Sequence, residues 1–225
     1  MKNPLILLLG MILFYSCSTT SDGKTETTAE VIGTQTWTTK NLDVTTYSDG
    51  TVIPQVTDPV AWDMLTTGAW CYYNNDSANG TTYGKLYNWY AVAGIWNEAS
   101  KTDATQRKKL APTGYHIPSD SEWTTLTTFL GGQTVAGGKM KTTGTSLWLA
   151  PNTDATNSSG FTGLPEGFRG SYGVFHYIGN SGFWWSSSEF DTARAWDCIL
   201  SYNTGYASRN RGDKINGFSV RCLRD

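Results

Sequence analysis

Aromatic residues in this chain stand in short runs, and each run is bounded by Gly, Asn, Ser or Thr. Beyond residue 139 such runs recur at residues 182–187, 195–200 and 217–223. Aromatic side chains favour strands, whereas Gly, Asn and Ser favour turns. Aromatic residues make up 13% of the 225 residues. The pattern therefore predicts short strands joined by many ordered loops.

Helical spacing is clearest in residues 118–132. Ser119 and Glu122 have the spacing of a capping box, and Gly131 stands where a helix C-terminus favours glycine. An apolar stripe runs along this segment through Trp123, Leu126, Phe129 and Leu130. We predict an α-helix here.

Two earlier segments also carry regular patterns. Residues 84–93 place Leu86, Tyr90 and Ala93 at helical spacing, which predicts another helix. Residues 31–44 alternate apolar and polar side chains around a Gly-bearing turn, which is typical of a β-hairpin, and the domain is expected to begin there. No segment after residue 132 is strongly helical. The sequence thus predicts an α+β domain with its helices early and its sheet late.

The first thirty residues have the composition of a bacterial lipoprotein leader. Lys2 precedes the apolar residues 4–15, which suit a signal peptide and are few for a membrane span. Ser16-Cys17 resembles the end of a lipobox, so residues 1–16 are predicted to be removed and Cys17 lipidated. The alternatives are ordinary secretion with cleavage nearby and a short membrane anchor.

Residues 17–30 are polar and small, which is typical of a flexible tether. Acyl chains on Cys17 would give lasting attachment to membrane lipid. We therefore expect a protein of the cell envelope, held at the outer membrane or facing the cell surface, with residues 31–225 as its single domain.

The charge pattern argues against nucleic acid as a partner. The formal net charge is −2, and the longest basic run is Arg107-Lys108-Lys109. A protein that binds a phosphate backbone neutralises several phosphates with clustered Lys and Arg. No such cluster is present in this sequence.

An Asn-rich loop offers oxygen ligands for a hard cation. Asn75, Asp76 and Asn79 follow Asn74 within a few residues. Calcium sites are built from such side-chain oxygens and backbone carbonyls. The loop is a candidate Ca²⁺ site, and the alternative is a plain turn of Asn and Asp residues.

Carbohydrate binding is the functional hypothesis with the best physical basis, since flat aromatic faces cover the apolar side of a pyranose ring. Candidate ligand-binding residues in or beside the late loops are Trp148, Arg169, Tyr172, Tyr177, Trp184 and Trp185. Because strand side chains alternate, at most one of Trp184 and Trp185 should face the interior. Arg169 could instead lie over an aromatic ring.

Several motifs resemble a known family. They are WTTKNL at residues 37–42, CYYNND at 71–76, YGKLYNWYAV at 83–92, PTGYHIP at 112–118, WWSS at 184–187 and GFSVRC at 217–222. The sequence from about residue 31 to 225 resembles the Fibrobacter succinogenes major paralogous domain. That resemblance implies a C-type lectin-like fold: two short helices packed on a twisted antiparallel sheet, with long ordered loops and the chain ends close together.

The resemblance also bears on the cysteines. Outside the cytoplasm thiols normally oxidise, and Cys71, Cys198 and Cys222 leave one unpaired. The family pattern favours a disulfide between Cys71 and Cys222, and the alternative pair is Cys198 with Cys222. Formylglycine-generating oxidases, to which the family is distantly similar, instead use a close thiol pair to bind copper.

Together these features favour a recognition module that binds glycan or an envelope protein through its late loops. No catalytic motif appears in the sequence. The alternatives are an extracytoplasmic enzyme, either a formylglycine-generating-like oxidase or a glycan hydrolase, and a structural subunit of an envelope assembly.

Overall fold

The computed structural model describes residues 28–225, which form six short α-helices and eleven β-strands in several small sheets. This architecture confirms the predicted α+β class. The helices lie before residue 141 and the three longest strands lie after residue 180, in the predicted order. The predicted signal peptide, Cys17 and the tether up to residue 27 lie outside the described residues.

The first and last strands of the described residues share a four-stranded sheet. β1 (Ala29–Ile32) and β2 (Gln35–Thr38) form the predicted hairpin, whose turn uses Gly33 at a φ of 65°. β11 (Leu223–Arg224) pairs with β2 and with β5 (Tyr115–His116), so the order is β1-β2-β11-β5. β1 begins before the predicted domain boundary at residue 31, because its pairing with β2 continues over two further residues.

The six helices lie between β2 and the late strands. They are α1 (Pro59–Asp63), α2 (Ser77–Tyr83), α3 (Trp89–Val92), α4 (Glu98–Thr102), α5 (Asp120–Phe129) and α6 (Gln133–Met140). Single 3-10 turns occur at Tyr73–Asn75 and Ala104–Gln106. The expectation of two helices is therefore corrected. Among residues 28–225, no helix has the length and apolar character needed to cross a membrane.

Local capping explains why several of these helices are short. The first four helices each begin at an Asp or Asn whose side chain accepts a backbone N–H of its own helix: Asp58, Asp76, Asn88 and Asn97. A capping side chain satisfies one of the unpaired donors of a first turn. Helices of four to seven residues are too short for an apolar stripe to reveal them in the sequence.

Helix α5 begins and ends as predicted. Ser119 and Glu122 form the capping box, each side chain accepting the other residue's backbone N–H. The helix stops before Gly131, whose φ is 100°. Three residues of the predicted stripe are buried: Trp123, Leu126 and Leu130. Phe129 is exposed instead and lies against Gly33 of the first hairpin.

The helix predicted at residues 84–93 is wrong in its first half. Leu86–Tyr87 forms strand β4, which pairs with β3 (Trp70–Cys71), and the N–H of Tyr87 also donates to the carbonyl of Phe218 at 2.8 Å. Asn88 then caps α3. A strand followed directly by one helical turn reproduces the apolar spacing of a longer helix.

Helix α6 forms where the sequence shows no helical pattern. Gly137 and Gly138 are on its buried side, where a Cβ atom would collide with the backbone of Tyr206 or Asp154. The N–H of Gly138 donates to the carbonyl of Gly205 at 3.1 Å. Glycine weakens an isolated helix, but here it permits close approach to two loops. Tertiary packing therefore outweighs the local signal.

The longest strands form an antiparallel sheet in the order β10-β9-β8. These strands are β8 (Ser181–Glu189), β9 (Arg194–Ser201) and β10 (Ala207–Asp213). β10 was not predicted, because its sequence ASRNRGD has no apolar alternation. Seven consecutive pairs with β9 hold it in place.

The first half of β8 in this sheet is covered on both faces. Trp184 packs against Phe161 with 5.7 Å between ring centroids, and Trp185 packs against Phe218 at 4.2 Å. Both Trp side chains are fully buried. The prediction that at most one of them faces the interior is therefore wrong, because alternation separates exposed from buried side chains only where one face of a sheet meets solvent.

Buried cations hold the irregular loops around the sheet. Lys141 Nζ donates to the carbonyls of Thr153, Ser201 and Thr204, each at 2.8 Å. The Arg221 guanidinium donates to the carbonyls of Thr38, Phe161 and Thr162 and to Asn41 Oδ1. These carbonyls lie in loops or at strand ends, where ladder partners are few, so the cations satisfy buried acceptors that would otherwise cost free energy.

Candidate recognition surface

Four of the six side chains predicted to bind ligand lie in the core. Trp184, Trp185 and Arg169 are 0% exposed, and Trp148 is 1% exposed. The indole N–H of each of the three tryptophans already has an acceptor. Trp148 donates to Thr142 Oγ1 and the Gly163 carbonyl. Trp184 donates to Asn41 Oδ1, and Trp185 donates to the Tyr87 carbonyl. A side chain without an exposed face cannot stack on a sugar. The expectation that these residues form a surface is therefore corrected.

Arg169 has a structural role in strand β6 (Phe168–Arg169), which pairs with β7 (Phe175–His176). Its guanidinium donates to the carbonyls of Val56, Thr57 and Gly173 at 2.6–3.1 Å. It also lies 4.4 Å from the ring centroid of Trp62. The suggested cation–π contact is thus present, and it fastens the β6–β7 hairpin to the loop before α1.

Tyr177 is an exposed aromatic residue whose backbone and ring are both constrained by the structure. Its side chain is 55% exposed, and its φ of 65° lies in the left-handed region that a bulky residue rarely adopts. The N–H groups of Asn180 and Ser181 both donate to its carbonyl, at 2.9 and 3.0 Å. Its ring lies 5.8 Å from that of Phe168 and 6.3 Å from that of Phe183. The strained backbone and the aromatic stack fix the ring at the surface.

Aliphatic side chains extend this surface. Leu149 is joined to the Tyr177 loop by the hydrogen bond from its N–H to the carbonyl of Gly179, 2.7 Å long. Leu147, Leu149 and Ile178 are all exposed. We call the four residues Tyr177, Ile178, Leu147 and Leu149 the Tyr177 surface. Contiguous exposed apolar residues of this kind mark binding surfaces in soluble domains.

The sequence carried no periodic signal for the aliphatic part of this surface. Leu147 and Leu149 flank Trp148, which is buried. Residues 143–148 form a series of bends, so the exposure of the two leucines follows from the path of this loop and not from the alternation of a strand.

Tyr172 is exposed but stands apart from the aromatic stack. It lies in the turn between β6 and β7, whereas Tyr177 follows β7 at the opposite end of the hairpin. The two predicted tyrosines therefore do not share one platform, and Tyr172 provides a natural control for Tyr177.

The candidate calcium loop has a local structural role. Asp76 Oδ1 accepts the N–H of Ala78 and caps α2. Asn75 Nδ2 donates to the Thr57 carbonyl, and Asn79 Nδ2 donates to the Tyr73 carbonyl. Within residues 28–225 no three His, Cys, Asp or Glu side chains are grouped to hold a metal ion. Calcium at this loop stays a prediction.

The three described cysteines are free thiols, so the Cys71–Cys222 disulfide is not formed and neither is the Cys198–Cys222 alternative. The reason is their placement: each thiol is buried in a different apolar cluster. Burial raises the pKa of Cys71 and of Cys222 to about 12, and it raises that of Cys198 further. Protonated thiols in separate clusters do not form the close pair that copper requires.

The carboxylates are divided between capping, ion pairing and burial. Glu122 Oε1 lies 2.9 Å from His116 Nε2, and Asp225 Oδ1 lies 2.7 Å from His116 Nδ1. Burial lowers the pKa of His116, but the hydrogen bonds to Asp225 and Glu122 outweigh that effect and raise it overall. We did not anticipate this cluster, because Asp225 and Glu122 meet only through the pairing of β5 with β11.

Two further carboxylates are buried. Glu166 Oε1 accepts the N–H of Phe183, and burial raises its pKa although Arg221 opposes that effect. Asp197 is 3% exposed, and burial raises its pKa to about 8. Glu189, which is exposed, pairs with the buried Lys214. Glu166 and Asp197 are therefore not an exposed, facing pair of the kind that glycoside hydrolysis uses.

These features define a class of protein: a loop-rich α+β domain whose loops are held by buried Lys and Arg side chains. The domain exposes an aromatic loop surface beside one end of its longest strand. The chain belongs to the Fibrobacter succinogenes major domain family, whose model matches residues 31–224, and this confirms the resemblance. Comparison with curated proteins and with solved structures gave no match.

Proposed function

We propose that this protein is an extracytoplasmic recognition module that binds carbohydrate through the Tyr177 surface. The observation that carries the proposal is the exposed Tyr177 ring, which is fixed by a left-handed backbone and an aromatic stack. A rigid aromatic face loses little conformational entropy when it packs on a pyranose. Strain of this kind persists where the surrounding structure requires it, and it is found most often at functional sites.

The proposal includes attachment to the membrane through a lipid on Cys17 and exposure at the outer membrane or the cell surface. Its support is the apolar leader that ends at Ser16-Cys17 and the polar composition of residues 17–30. A tether of that length would let the domain reach a ligand beyond the lipid surface.

We also propose that the α+β domain has a C-type lectin-like fold. The pairing of the β1–β2 hairpin with β11 supports it, because this fold brings its chain ends together in one sheet. The placement of helices before a late antiparallel sheet, with long ordered loops between, is a second supporting feature.

A protein partner is the second candidate, and it is favoured by the aliphatic residues around Tyr177. Leu149 is 51% exposed, and Ile178 and Leu147 are also at the surface. Clusters of aromatic and aliphatic side chains are typical of protein interface cores. A sugar would use mainly the tyrosine ring, whereas a protein would need the leucines as well.

A glycan array tests the proposal. We expect saturable binding by the native protein, a loss of at least tenfold in affinity for Tyr177→Ala, and retention by Tyr177→Phe, which keeps the stacking ring. Tyr172→Ala is the matched control, because it removes an exposed tyrosine outside the stack. Each variant is checked for folding by circular dichroism.

The same array, run with Ca²⁺ and then with a chelator, tests the calcium prediction. Loss of binding with chelator would support a metal at the Asn75 loop.

If the native protein binds no glycan, or if Tyr172→Ala loses as much affinity as Tyr177→Ala, the Tyr177 surface is not a carbohydrate site. The second candidate would then be favoured if the native protein binds an envelope protein and Leu149→Ser does not.

A further inference from the structure

An arginine and aromatic cluster lies on the outer end of β9 and β10. We call Phe190, Arg194, Trp196, Arg209 and Arg211 the arginine patch. Residues two apart in a strand lie on the same face of the sheet. Arg194 and Trp196 are two apart in β9, and Arg209 and Arg211 are two apart in β10. Trp196 is opposite Arg211 in the register.

The patch is separate from the Tyr177 surface. β8 starts at Ser181, a few residues after Tyr177, and ends at Glu189, next to Phe190. A strand of nine residues rises roughly 25 Å between its ends. The two surfaces therefore lie at opposite ends of the longest strand, and an inference about the patch does not rest on the proposed function.

Aromatic rings hold the guanidinium groups in place. Arg209 lies 3.2 Å from the ring centroid of Trp196, and Phe190 lies between Arg211 at 4.7 Å and Arg194 at 5.2 Å. The Phe190 and Trp196 rings meet edge to face at 4.9 Å. A guanidinium that already rests on a ring loses less side-chain freedom when it binds an anion. The patch is thus preorganised for anion recognition.

Two of the three arginines have carboxylate partners. Both Arg209 donors engage Asp120, Nε with Oδ1 and Nη2 with Oδ2, each at 2.6 Å. Arg194 donates to Asp191 Oδ2. Arg211 is exposed and has no ion pair among the residues that the structure describes. The Arg211 donors are available for a ligand. The carboxylates of Asp120 and Asp191 retain lone pairs that can accept hydrogen bonds from hydroxyl groups.

This mixture of groups selects one class of ligand. Asp213 lies on the same face opposite Arg194, so with Asp120 and Asp191 it balances the three guanidinium groups. A patch without net charge suits a ligand that carries no more than one negative charge on each sugar ring. A polyanion with several negative charges on each ring would be repelled by Asp120, Asp191 and Asp213. An acidic sugar presents a carboxylate for Arg211 and hydroxyl groups for the aspartates. We propose that the arginine patch binds a polysaccharide that contains uronic acid residues.

Isothermal titration of the purified protein with polygalacturonate oligosaccharides tests this inference. We expect saturable binding that weakens at least tenfold in Arg211→Ala. Arg224→Ala is the matched control, because it removes the same charge from an exposed arginine on β11, away from the patch, and should bind as the native protein does. Tyr177→Ala should also retain binding, which separates this surface from the first.

Three outcomes would overturn the inference. The first is an absence of binding to polygalacturonate by the native protein. The second is an equal loss in Arg211→Ala and Arg224→Ala, which would show a general charge effect. The third is tighter binding of heparin than of polygalacturonate, since that would mean a preference for dense negative charge. Because Arg211 is exposed and contacts mainly Phe190, we expect its variant to fold.

Discussion

At the scale of a single residue, Asp197 shows how burial within the three-stranded sheet changes the pKa of a carboxyl group. It lies opposite Trp185 in β8 and Asn210 in β10, and neither carboxylate oxygen has a hydrogen-bond partner among the described residues. Burial raises its pKa to about 8. The folded state therefore binds a proton more tightly than the unfolded state, and the stability that Asp197 contributes falls as the pH rises from about 4 to about 8.

We therefore predict that Asp197→Asn gains stability relative to the native protein as the pH rises. Proton linkage changes the relative stability by about 1.4 kcal/mol for each pH unit in this range, so the gain between pH 5 and pH 8 should be on the order of 3–4 kcal/mol. Urea unfolding at both pH values measures it. Asp213→Asn, at an exposed position of β10, should show no such change. Parallel pH dependence of the native protein and Asp197→Asn would contradict the assignment.

Individual residues of the candidate site were harder to predict than the family. The motif at residues 184–187, which contains Trp184 and Trp185, belongs to the pattern that identified the family correctly, yet both side chains are buried. A sequence shows that an aromatic residue lies near a loop but not how many layers cover it. Tyr177, a predicted ligand-binding residue, is exposed, but neither its left-handed backbone nor its stack with Phe168 and Phe183 has a local signal in the sequence.

At the scale of elements, α5 and α6 show where local signals suffice and where they fail. The capping box of α5 is local and was predicted correctly. The α6 helix contains Gly137 and Gly138, which disfavour a helix, and it is stabilised by contact with distant loops. β10 is a polar strand held by its register with β9. Elements that depend on distant partners could not be predicted from their own residues.

This dependence leads to a prediction for α6. Gly137→Ala should destabilise the protein by about 1–3 kcal/mol, although alanine favours helices, because its Cβ would collide with the Tyr206 backbone. Thr134→Ala, at an exposed position of the same helix, should change the free energy of unfolding by less than about 0.5 kcal/mol. Thermal unfolding compares them. If Gly137→Ala is as stable as the native protein, the close approach of α6 to the loop is not required.

At the scale of the whole molecule, the fold closes by joining distant parts of the chain. The β1–β2 hairpin pairs with β11, and β11 pairs with β5. Arg221 connects the end of β2, at Thr38, to the segment at residues 161–162. His116 on β5 adds a further connection, because its two ring nitrogens contact Glu122 of α5 and Asp225 beside β11.

His116 therefore links closure of the fold to pH. Its pKa is raised, so the folded state binds its proton more tightly than the unfolded state does. The stabilisation is fully present below pH 6.5, the ordinary value, and is lost as the pH rises through the folded-state pKa. Since the histidine is 40% exposed, the contribution should be only about 0.2–1 kcal/mol.

We predict that Asp225→Asn moves the titration midpoint of His116 to lower pH, because one of the two carboxylates that stabilise the imidazolium becomes neutral. Proton NMR of the imidazole ring measures the midpoint, and His116→Gln assigns the signal. Asp63→Asn, which removes an exposed carboxylate on α1, should leave the midpoint unchanged. An unchanged midpoint in Asp225→Asn would show that Asp225 does not stabilise the charge of His116.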